Sequence, residues 1–320
     1  MEKEGNGRVF RELLEAQWAR DCFVCAGFDP NLKRIPEVAR RDTIEETLVT
    51  FCCDIFDAVA DQVCAVKPNI AFFEAHGLEG LSALIKVTAY MRKHAPQVPI
   101  ILDAKRADIG NTNLGYVASI DAYGVDAITV HPYLGRLALE PFLARKDKGI
   151  IVLCRTSNKG AGEFQDLYTL PFDPVMDEPI LKGASTEERL AELEAWVKEW
   201  RQRIRTHSMP LYQRVAFNVA NEWNANGNCC VVVGATYPTE GKEVRKLVGD
   251  IPFLIPGIGA QGGDVEATVM ACADGRKWGM TINSSRGIMH ASNGPDYMEA
   301  AHREAAKLHS EINRCRTLLS

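Results

Sequence analysis

Eight short apolar runs, with helix-length segments between them, limit most strongly what this sequence can fold into. Each run is continuously hydrophobic instead of alternating between apolar and polar residues. Continuous hydrophobicity is typical of parallel strands buried on both faces, and parallel strands need crossover connections between them. The runs occupy residues 22–28, 63–69, 99–105, 126–132, 149–157, 229–236, 252–259 and 279–286.

The segment between the first two runs has the pattern of a crossover helix. A Thr43-x-x-Glu46 capping box is followed by apolar residues at three- and four-residue spacing, from Ile44 to Val59. Eight units of strand followed by helix predict an α/β fold, a (β/α)8 TIM barrel. An open, doubly wound parallel sheet is the alternative, because the sequence does not show that the eighth strand pairs with the first.

The spacing of these units changes once, between the fifth and sixth strands. We predict a helical insertion at about residues 158–228. A polar, proline-containing piece leads to a helix that begins at a Ser185-x-x-Glu188 capping box and is rich in Trp and Leu. No linker or low-complexity tract interrupts the chain, so we predict a single barrel domain over residues 1–320.

Composition narrows the class of partner. The 320 residues carry a formal net charge of -5 and contain no basic block, which argues against a nucleic-acid surface and favours a small molecule or another protein. The N-terminal residues lack the pattern of a signal peptide, and no apolar run approaches about 18 residues, so we expect a cytoplasmic protein without a membrane span. We expect the cysteines to be reduced core thiols, since several lie in the apolar runs.

Charged residues stand at the predicted carboxyl ends of the strands, where a barrel builds its active site. Asp103, Lys105 and Asp108 follow one another within six residues. Lys67 ends the neighbouring strand and Asp29 follows the first strand. A structural ion-pair network at the barrel mouth is the alternative. Burying charges is costly, and that cost is more often tolerated for function than for stability, so we favour an active site.

The stretch "PGIGAQGGD" (256–264) places four glycines between the seventh strand and a helix expected to begin near Asp264. Barrels often bind a phosphate group here, on bare backbone N–H groups and a helix N-terminus. Arg286, just beyond the eighth strand, supplies a cation that can bind such a group in a bidentate manner. A tight turn alone would also explain the glycines, but the combination with Arg286 predicts a phosphate site.

We expect no metal and no organic cofactor. Asp103 and Asp108 could hold Mg²⁺, but Lys105 between them opposes a cation, and the histidines show no ligand spacing. His131, after the fourth strand, is interpreted as a packed, hydrogen-bonded residue and not as a catalytic base. The run "NCCVVVGAT" is not a G-x-G-x-x-G fingerprint, so no nucleotide cofactor is predicted.

The motif "LDAKRADIGNT" resembles the D-x-K-x-x-D-I-x-N-T signature of the orotidine 5'-monophosphate decarboxylase family. The resemblance continues in "AGFDP", "VKPNIAFFE", "RTSN", "PGIGAQGG" and "SSRGI", from the first strand to the eighth. "KPN", "AQGG" and the long insertion are similar to the longer-chain branch of that family. The resemblance implies a homodimeric barrel that converts orotidine 5'-monophosphate to UMP in de novo pyrimidine biosynthesis, without metal or cofactor.

The resemblance also implies roles for the charged residues. Lys105 would protonate C6 of the pyrimidine, where loss of CO₂ leaves a carbanion that a fixed ammonium stabilises. Asp103 would lie beside the leaving carboxylate. Lys67 and Asp29 would hold the charge network and the ribose hydroxyls.

A second group of residues is implied at a subunit interface. Asp108, with Ile109 and Thr112, would reach into the partner subunit's site. Family members also occur as part of a bifunctional UMP synthase. The resemblance therefore leaves open a covalent fusion to, or association with, orotate phosphoribosyltransferase.

The remaining implied contacts are to the nucleotide. Thr156 or Ser157, with Gln261, would contact the pyrimidine. Gln261, Gly262 and Arg286 would bind the phosphate. Asn69 is expected near the base or the phosphate. The other substrate-binding residues expected from these motifs are Pro256 and Ser285.

Two alternative functions are compatible with parts of the sequence. A Mg²⁺-dependent sugar-phosphate lyase of the same superfamily shares D-x-K-x-x-D, but "IGNT" after Asp108 and "SSRGI" at the eighth strand argue against it. A catalytically silent phosphate-binding barrel is the other rival, and it would have no need of Lys105. Sensitivity to EDTA and turnover of orotidine 5'-monophosphate separate the three.

Overall fold

All eight predicted strands are present in the computed structural model, which describes residues 7–170, 181–259 and 261–319. Two further short strands pair with each other outside the main sheet. The strands are β1 (Val24–Phe28), β2 (Val63–Pro68), β3 (Ile101–Arg106), β4 (Ala127–Val130), β5 (Gly149–Arg155), β6 (Tyr168–Thr169), β7 (Met209–Pro210), β8 (Cys229–Val233), β9 (Phe253–Pro256) and β10 (Met280–Ser284).

The main sheet is parallel and closes on itself. Its order is β2-β1-β10-β9-β8-β5-β4-β3, and parallel bridges from Val66 to Ile100 and from Asn69 to Asp103 join the two outer strands. The predicted (β/α)8 barrel is therefore confirmed, and the open-sheet alternative is wrong. Closure places the carboxyl ends of β2 and β3 side by side, which brings their polar residues together.

Helices surround the barrel. Thr43 caps α2 by accepting a hydrogen bond from the Glu46 N–H, as its capping box predicts. The side chains of Trp18, Phe51 and Phe142 are fully buried in the hydrophobic core. The helices are α1 (Phe10–Trp18), α2 (Ile44–Val59), α3 (Ala71–Glu74), α4 (Gly77–His94), α5 (Gly110–Ala122), α6 (Gly135–Leu143), α7 (Gly162–Gln165), α8 (Thr186–His207), α9 (Leu211–Asn218), α10 (Pro238–Val248), α11 (Val265–Cys272), α12 (Arg286–Met289) and α13 (Tyr297–Thr317).

The segment between the neighbouring strands β5 and β8 contains α7, α8, α9 and the antiparallel pair β6–β7. The predicted helix at Ser185 is α8, and its capping box with Glu188 is formed. None of its residues is buried, so its Trp and Leu side chains do not join the barrel core. Residues 171–180 of the predicted insertion lie outside the described residues.

The ten cysteines are all free and buried, as expected for core thiols. Burial raises the pKa of the Cys25 thiol, in β1, to about 12, so this group stays protonated at neutral pH. Within the described residues, no helix combines the length and the apolar character that crossing a bilayer requires.

Candidate active site

A cavity of about 490 Å³ opens at the carboxyl ends of the barrel strands. Its walls contain most of the residues that the sequence predicted, which come from the ends of six different strands and from the segments that follow them. The predicted residues that line it are Asp29, Lys67, Asn69, Asp103, Lys105, Thr156, Ser157, Pro256, Gln261, Ser285 and Arg286.

Asp103 lies between two lysines at the base of this cavity. Lys67 Nζ is 2.7 Å from Asp103 Oδ2, and Lys105 Nζ is 2.5 Å from Asp103 Oδ1. The side chain of Lys67 is 6% exposed, whereas that of Lys105 is 52% exposed. Lys67 is thus a buried support for Asp103, and Lys105 is the ammonium that a bound ligand can reach.

The surroundings keep Asp103 and Lys67 ionised. Burial would raise the pKa of Asp103, but the charges of Lys67 and Lys105 outweigh it and hold that pKa well below its usual range. Burial would likewise lower the pKa of Lys67, but the carboxylates of Asp103 and Asp29 outweigh it and raise that pKa. Asp103 and Lys67 therefore both carry their charges at neutral pH.

The backbone of β3 is irregular where it carries the array. Lys105 has a φ of 49°, in the left-handed region that non-glycine residues rarely adopt. The hydroxyl of Thr129, on β4, accepts hydrogen bonds from the N–H groups of Ala104 and Lys105 and donates one to Asp103 Oδ1. Sequence reasoning missed Thr129, although a lone threonine among the apolar residues of "AITV" was a usable signal.

Three buried polar atoms in the cavity wall have no hydrogen-bond partner among the described residues. They are Asp29 Oδ1, Asn283 Oδ1 and Ser285 Oγ. Buried polar atoms are normally paired, so these are positioned to bind the hydroxyl or amide groups of a ligand. Gly27 allows Ser285 to pack directly against the backbone of β1, because a Cβ at position 27 would lie 2.3 Å from Ser285 Oγ.

At one side of the cavity the glycine-rich loop meets Arg286. Gly257, Gly259 and Gly262 have positive φ values of 109°, 70° and 84°, and the loop runs into α11, whose N-cap is Asp264 as predicted. Arg286 is exposed, and no ion pair or hydrogen bond occupies its guanidinium within the described part of the chain. A loop of this kind beside a free arginine can bind an anion.

The segment after β5 forms another wall of the cavity. Gln165, from α7, accepts a hydrogen bond from the Thr156 N–H and donates one to Thr156 Oγ1, and the Thr156 hydroxyl donates to Asn158 Oδ1. Gln165 and Asn158 line the cavity too. Sequence reasoning assigned no role to Gln165 or Asn158. The hydrogen bonds between Gln165 and Thr156 form only because the chain after β5 folds back on itself, which no local pattern indicates.

Four predicted residues do not line the cavity. They are Asp108, Ile109, Thr112 and Gly262. Ile109 is 64% exposed, and the buried side chain of Asn113 accepts a hydrogen bond of 2.8 Å from the Asp108 N–H. This hydrogen bond helps to fix the loop that carries Asp108, and the loop does not line the cavity.

Two other expectations concern histidine and metal. His131 Nδ1 is buried and has no hydrogen-bond partner among the described residues, so the expected hydrogen bond is absent at this nitrogen. His131 also does not line the cavity. No cluster of three His, Cys, Asp or Glu side chains able to hold a metal ion occurs in the parts of the chain described.

Together, the fold and the site define a barrel enzyme with an ionised Asp–Lys array in a ligand-sized cavity. A family model described as "Orotidine 5'-phosphate decarboxylase / HUMPS family" matches residues 24–189. The orotidine 5'-phosphate decarboxylase of Janthinobacterium sp. (strain Marseille) is 41% identical over 308 residues, 96% of this chain and 98% of that protein. The orotidine 5'-phosphate decarboxylase of Cellvibrio japonicus (strain Ueda107) is 40% identical over 311 residues, 96% of this chain and 99% of that protein.

Solved structures agree with the sequence comparison. The OMP decarboxylase of Leishmania donovani is 32% identical with a TM-score of 0.73, and the match covers 97% of this chain and 99% of that chain. The UMP synthase of Leishmania donovani is 33% identical with a TM-score of 0.75, and this chain spans 57% of its length. The chain therefore belongs to the orotidine 5'-phosphate decarboxylase / HUMPS family and, within it, to the decarboxylases, which are carboxy-lyases. The resemblance drawn from the sequence motifs is confirmed.

Proposed function

We propose that this enzyme converts orotidine 5'-monophosphate to UMP in pyrimidine biosynthesis, without a metal or an organic cofactor, and that Lys105 protonates the product carbon. The observation that carries the proposal is the array of Lys67, Asp103 and Lys105 in the cavity wall. The relatives at about 40% identity are named for this reaction.

The proposed chemistry takes place at C6 of the pyrimidine ring. The bond from C6 to the carboxylate carbon breaks, CO₂ leaves, and the electron pair stays on C6. The ammonium of Lys105 stabilises this developing negative charge and then gives a proton to C6. Half of the Lys105 side chain is exposed, so solvent can return the proton to its amine after the product leaves.

Asp103 has two functions in this proposal. It fixes the ammonium of Lys105 through a contact of 2.5 Å, and it stands beside the place of the leaving carboxylate. Lys67, bound to the other carboxylate oxygen, keeps Asp103 ionised and in position. Such preorganised charges stabilise a transition state without further rearrangement.

The rest of the cavity is assigned to the nucleotide. Asp29, whose Oδ1 has no partner among the described residues, accepts hydrogen bonds from the ribose. Arg286, with Gln261 and the neighbouring Gly262, binds the phosphate. The remaining substrate contacts are proposed to be Asn69, Thr156, Ser157, Pro256 and Ser285.

The active unit is proposed to be a homodimer in which Asp108, Ile109 and Thr112 complete the partner subunit's site. Their exclusion from this subunit's own cavity supports the idea. So does the exposure of large apolar residues near the same mouth, including Ile109 at 64% and Leu114 at 56%. A fusion to orotate phosphoribosyltransferase stays a prediction.

The test is a spectrophotometric decarboxylation assay with orotidine 5'-monophosphate. Wild-type protein should turn over equally well with and without EDTA. Lys105→Ala should lower kcat by about 10⁴-fold or more, because both charge stabilisation and proton delivery are lost. Lys86→Ala, which removes an exposed lysine of α4, is the matched control and should keep wild-type turnover.

Three results would count against the proposal. Loss of activity in EDTA would favour the metal-dependent lyase. Lys105→Ala within about tenfold of wild type would remove Lys105 from the chemistry. No turnover by folded wild-type protein would favour the silent phosphate-binding barrel.

A further inference from the structure

Thr129 is a buried polar residue in the middle of an apolar strand. Its neighbours on β4 are Ile128 and Val130, and Thr129 itself is 1% exposed. It also lines the cavity. The family resemblance assigned it no role, and its hydroxyl contacts the backbone and side chain that carry the charge array.

The pairing of β3 with β4 is interrupted beside Thr129. Leu102 pairs with Ile128, but the next pair is Arg106 with Val130. Between these two pairs β3 advances by four residues and β4 by only two, so the extra residues of β3 form a bulge. The bulge contains Asp103 and Lys105, which are the two residues of the array that lie on β3.

The hydroxyl of Thr129 holds this bulge together. The N–H groups of Ala104 and Lys105 each donate a hydrogen bond of 2.9 Å to Thr129 Oγ1, and this hydroxyl donates one of 3.0 Å to Asp103 Oδ1. A hydroxyl has one donor and two acceptor positions, so all of its capacity is used.

The conformation of Lys105 shows why the bulge needs such support. Its φ of 49° is unfavourable for a residue with a Cβ. Such conformations persist where the surroundings fix them, and they concentrate at functional sites. Two N–H groups that regular strand pairing would satisfy depend here on one side-chain oxygen.

We propose that Thr129 is a positioning residue of the decarboxylation reaction: its hydroxyl fixes the β3 bulge and thereby aims the ammonium of Lys105. This inference rests on the proposed function of Lys105. Thr129 does not need to touch the reacting carbon. It acts through the backbone of Lys105 and through the orientation of Asp103.

The experiment compares Thr129→Val with Thr129→Ser. Valine keeps the shape and removes the hydroxyl, whereas serine keeps the hydroxyl. We expect Thr129→Val to lower kcat by about 10²-fold, since small displacements of a catalytic group have effects of this size. KM and the affinity for UMP should stay within about threefold, because the proposed phosphate and ribose contacts lie elsewhere. Thr129→Ser should restore kcat to within about fivefold of wild type.

A second readout follows proton transfer alone. In D₂O the enzyme should exchange the C6 hydrogen of UMP for deuterium, a reaction that needs Lys105 and no loss of CO₂. Thr129→Val should slow this exchange about as much as it slows decarboxylation. Thr281→Val is the matched control: Thr281 is 2% exposed on β10 of the same sheet, and its hydroxyl makes no bond to the bulge in the described structure.

Three outcomes would overturn the inference. They are Thr129→Val with kcat within threefold of wild type, equal losses in the valine and serine variants, and a loss confined to KM. If Thr129→Val does not fold, Thr129→Cys replaces it. Its thiol is a weak hydrogen-bonding group, so it should lose an intermediate factor, and wild-type turnover in it would contradict the inference.

Lys105→Ala, assayed in parallel, distinguishes a failure of the proposed function from a failure of the inference about Thr129. If Lys105→Ala remains active, the proposed function fails. If Lys105→Ala is inactive while Thr129→Val turns over normally, the proposed function stands and only the inference about Thr129 fails.

Discussion

At the scale of single residues, Asp103 connects every charge in the array. One oxygen binds Lys67, and the other binds Lys105 and Thr129. A buried ion pair adds little net stability, but removal of one partner leaves the other uncompensated, at a cost of about 3–5 kcal/mol. Variants at Asp103 or Lys67 therefore mix effects on folding with effects on catalysis. A variant at the half-exposed Lys105 tests catalysis with the smallest effect on folding.

Arg286 offers a test of binding at a group that does not react. Arg286→Ala should lower kcat/KM for orotidine 5'-monophosphate by about 10²-fold or more, because a charge-assisted pair worth roughly 3 kcal/mol is lost. The effect on the phosphate-free nucleoside should be small. The measurement is kcat/KM of both proteins on both substrates.

Arg303→Ala, which removes an exposed arginine of α13, is the control for this comparison. Its kcat/KM should match wild type on both substrates. An equal proportional loss on nucleotide and nucleoside in Arg286→Ala would show that Arg286 supports the barrel or the pyrimidine site, and the phosphate would have to bind elsewhere.

At the scale of elements, the loop between β3 and α5 determines where Asp108 lies. Asn113 is fully buried in the first turn of α5. Its side chain accepts a hydrogen bond from the Asp108 N–H and donates to the carbonyl groups of Asp108 and Ala138. One amide thus fixes the loop to itself and to α6, which favours a single position for Asp108.

Asn113→Ala should reduce the free energy of unfolding by about 2 kcal/mol, because buried backbone groups lose their partners. It should also lower kcat at least about tenfold, since Asp108 is no longer held in place. Urea denaturation and steady-state kinetics measure the two effects. Asn221→Ala, at an exposed asparagine that bonds only to the Phe217 carbonyl among the described residues, is the control. Unchanged kcat in a destabilised Asn113→Ala protein would separate the loop from catalysis.

The elements also show what sequence could and could not predict. Strand positions were predictable because parallel strands buried on both faces leave continuous apolar runs. The caps at Thr43 and Ser185 were predictable because a capping box is local. The bulge at Lys105 was not, because its support comes from Thr129, 24 residues further along the chain.

At the scale of the whole molecule, barrel closure assembles the site. The bridge from Asn69 to Asp103 joins β2 to β3, so that Lys67 and Asp103 meet at their carboxyl ends. No local pattern in the sequence specifies this closure; eight repeated units with compatible lengths do. The position of Gln165 depends on the segment after β5 in the same way, and sequence reasoning missed it.

In the proposed homodimer each site combines Lys105 of one subunit with Asp108 of the other, and mixing two inactive variants tests this shared site most directly. Lys105→Ala and Asp108→Ala should each be nearly inactive alone. In an equal mixture with free subunit exchange, half of the dimers are hybrids and one site of each hybrid is intact, so the mixture should recover about a quarter of wild-type activity. No recovery, with subunit exchange demonstrated by differently tagged subunits, would contradict the shared site and return Asp108 to its own subunit.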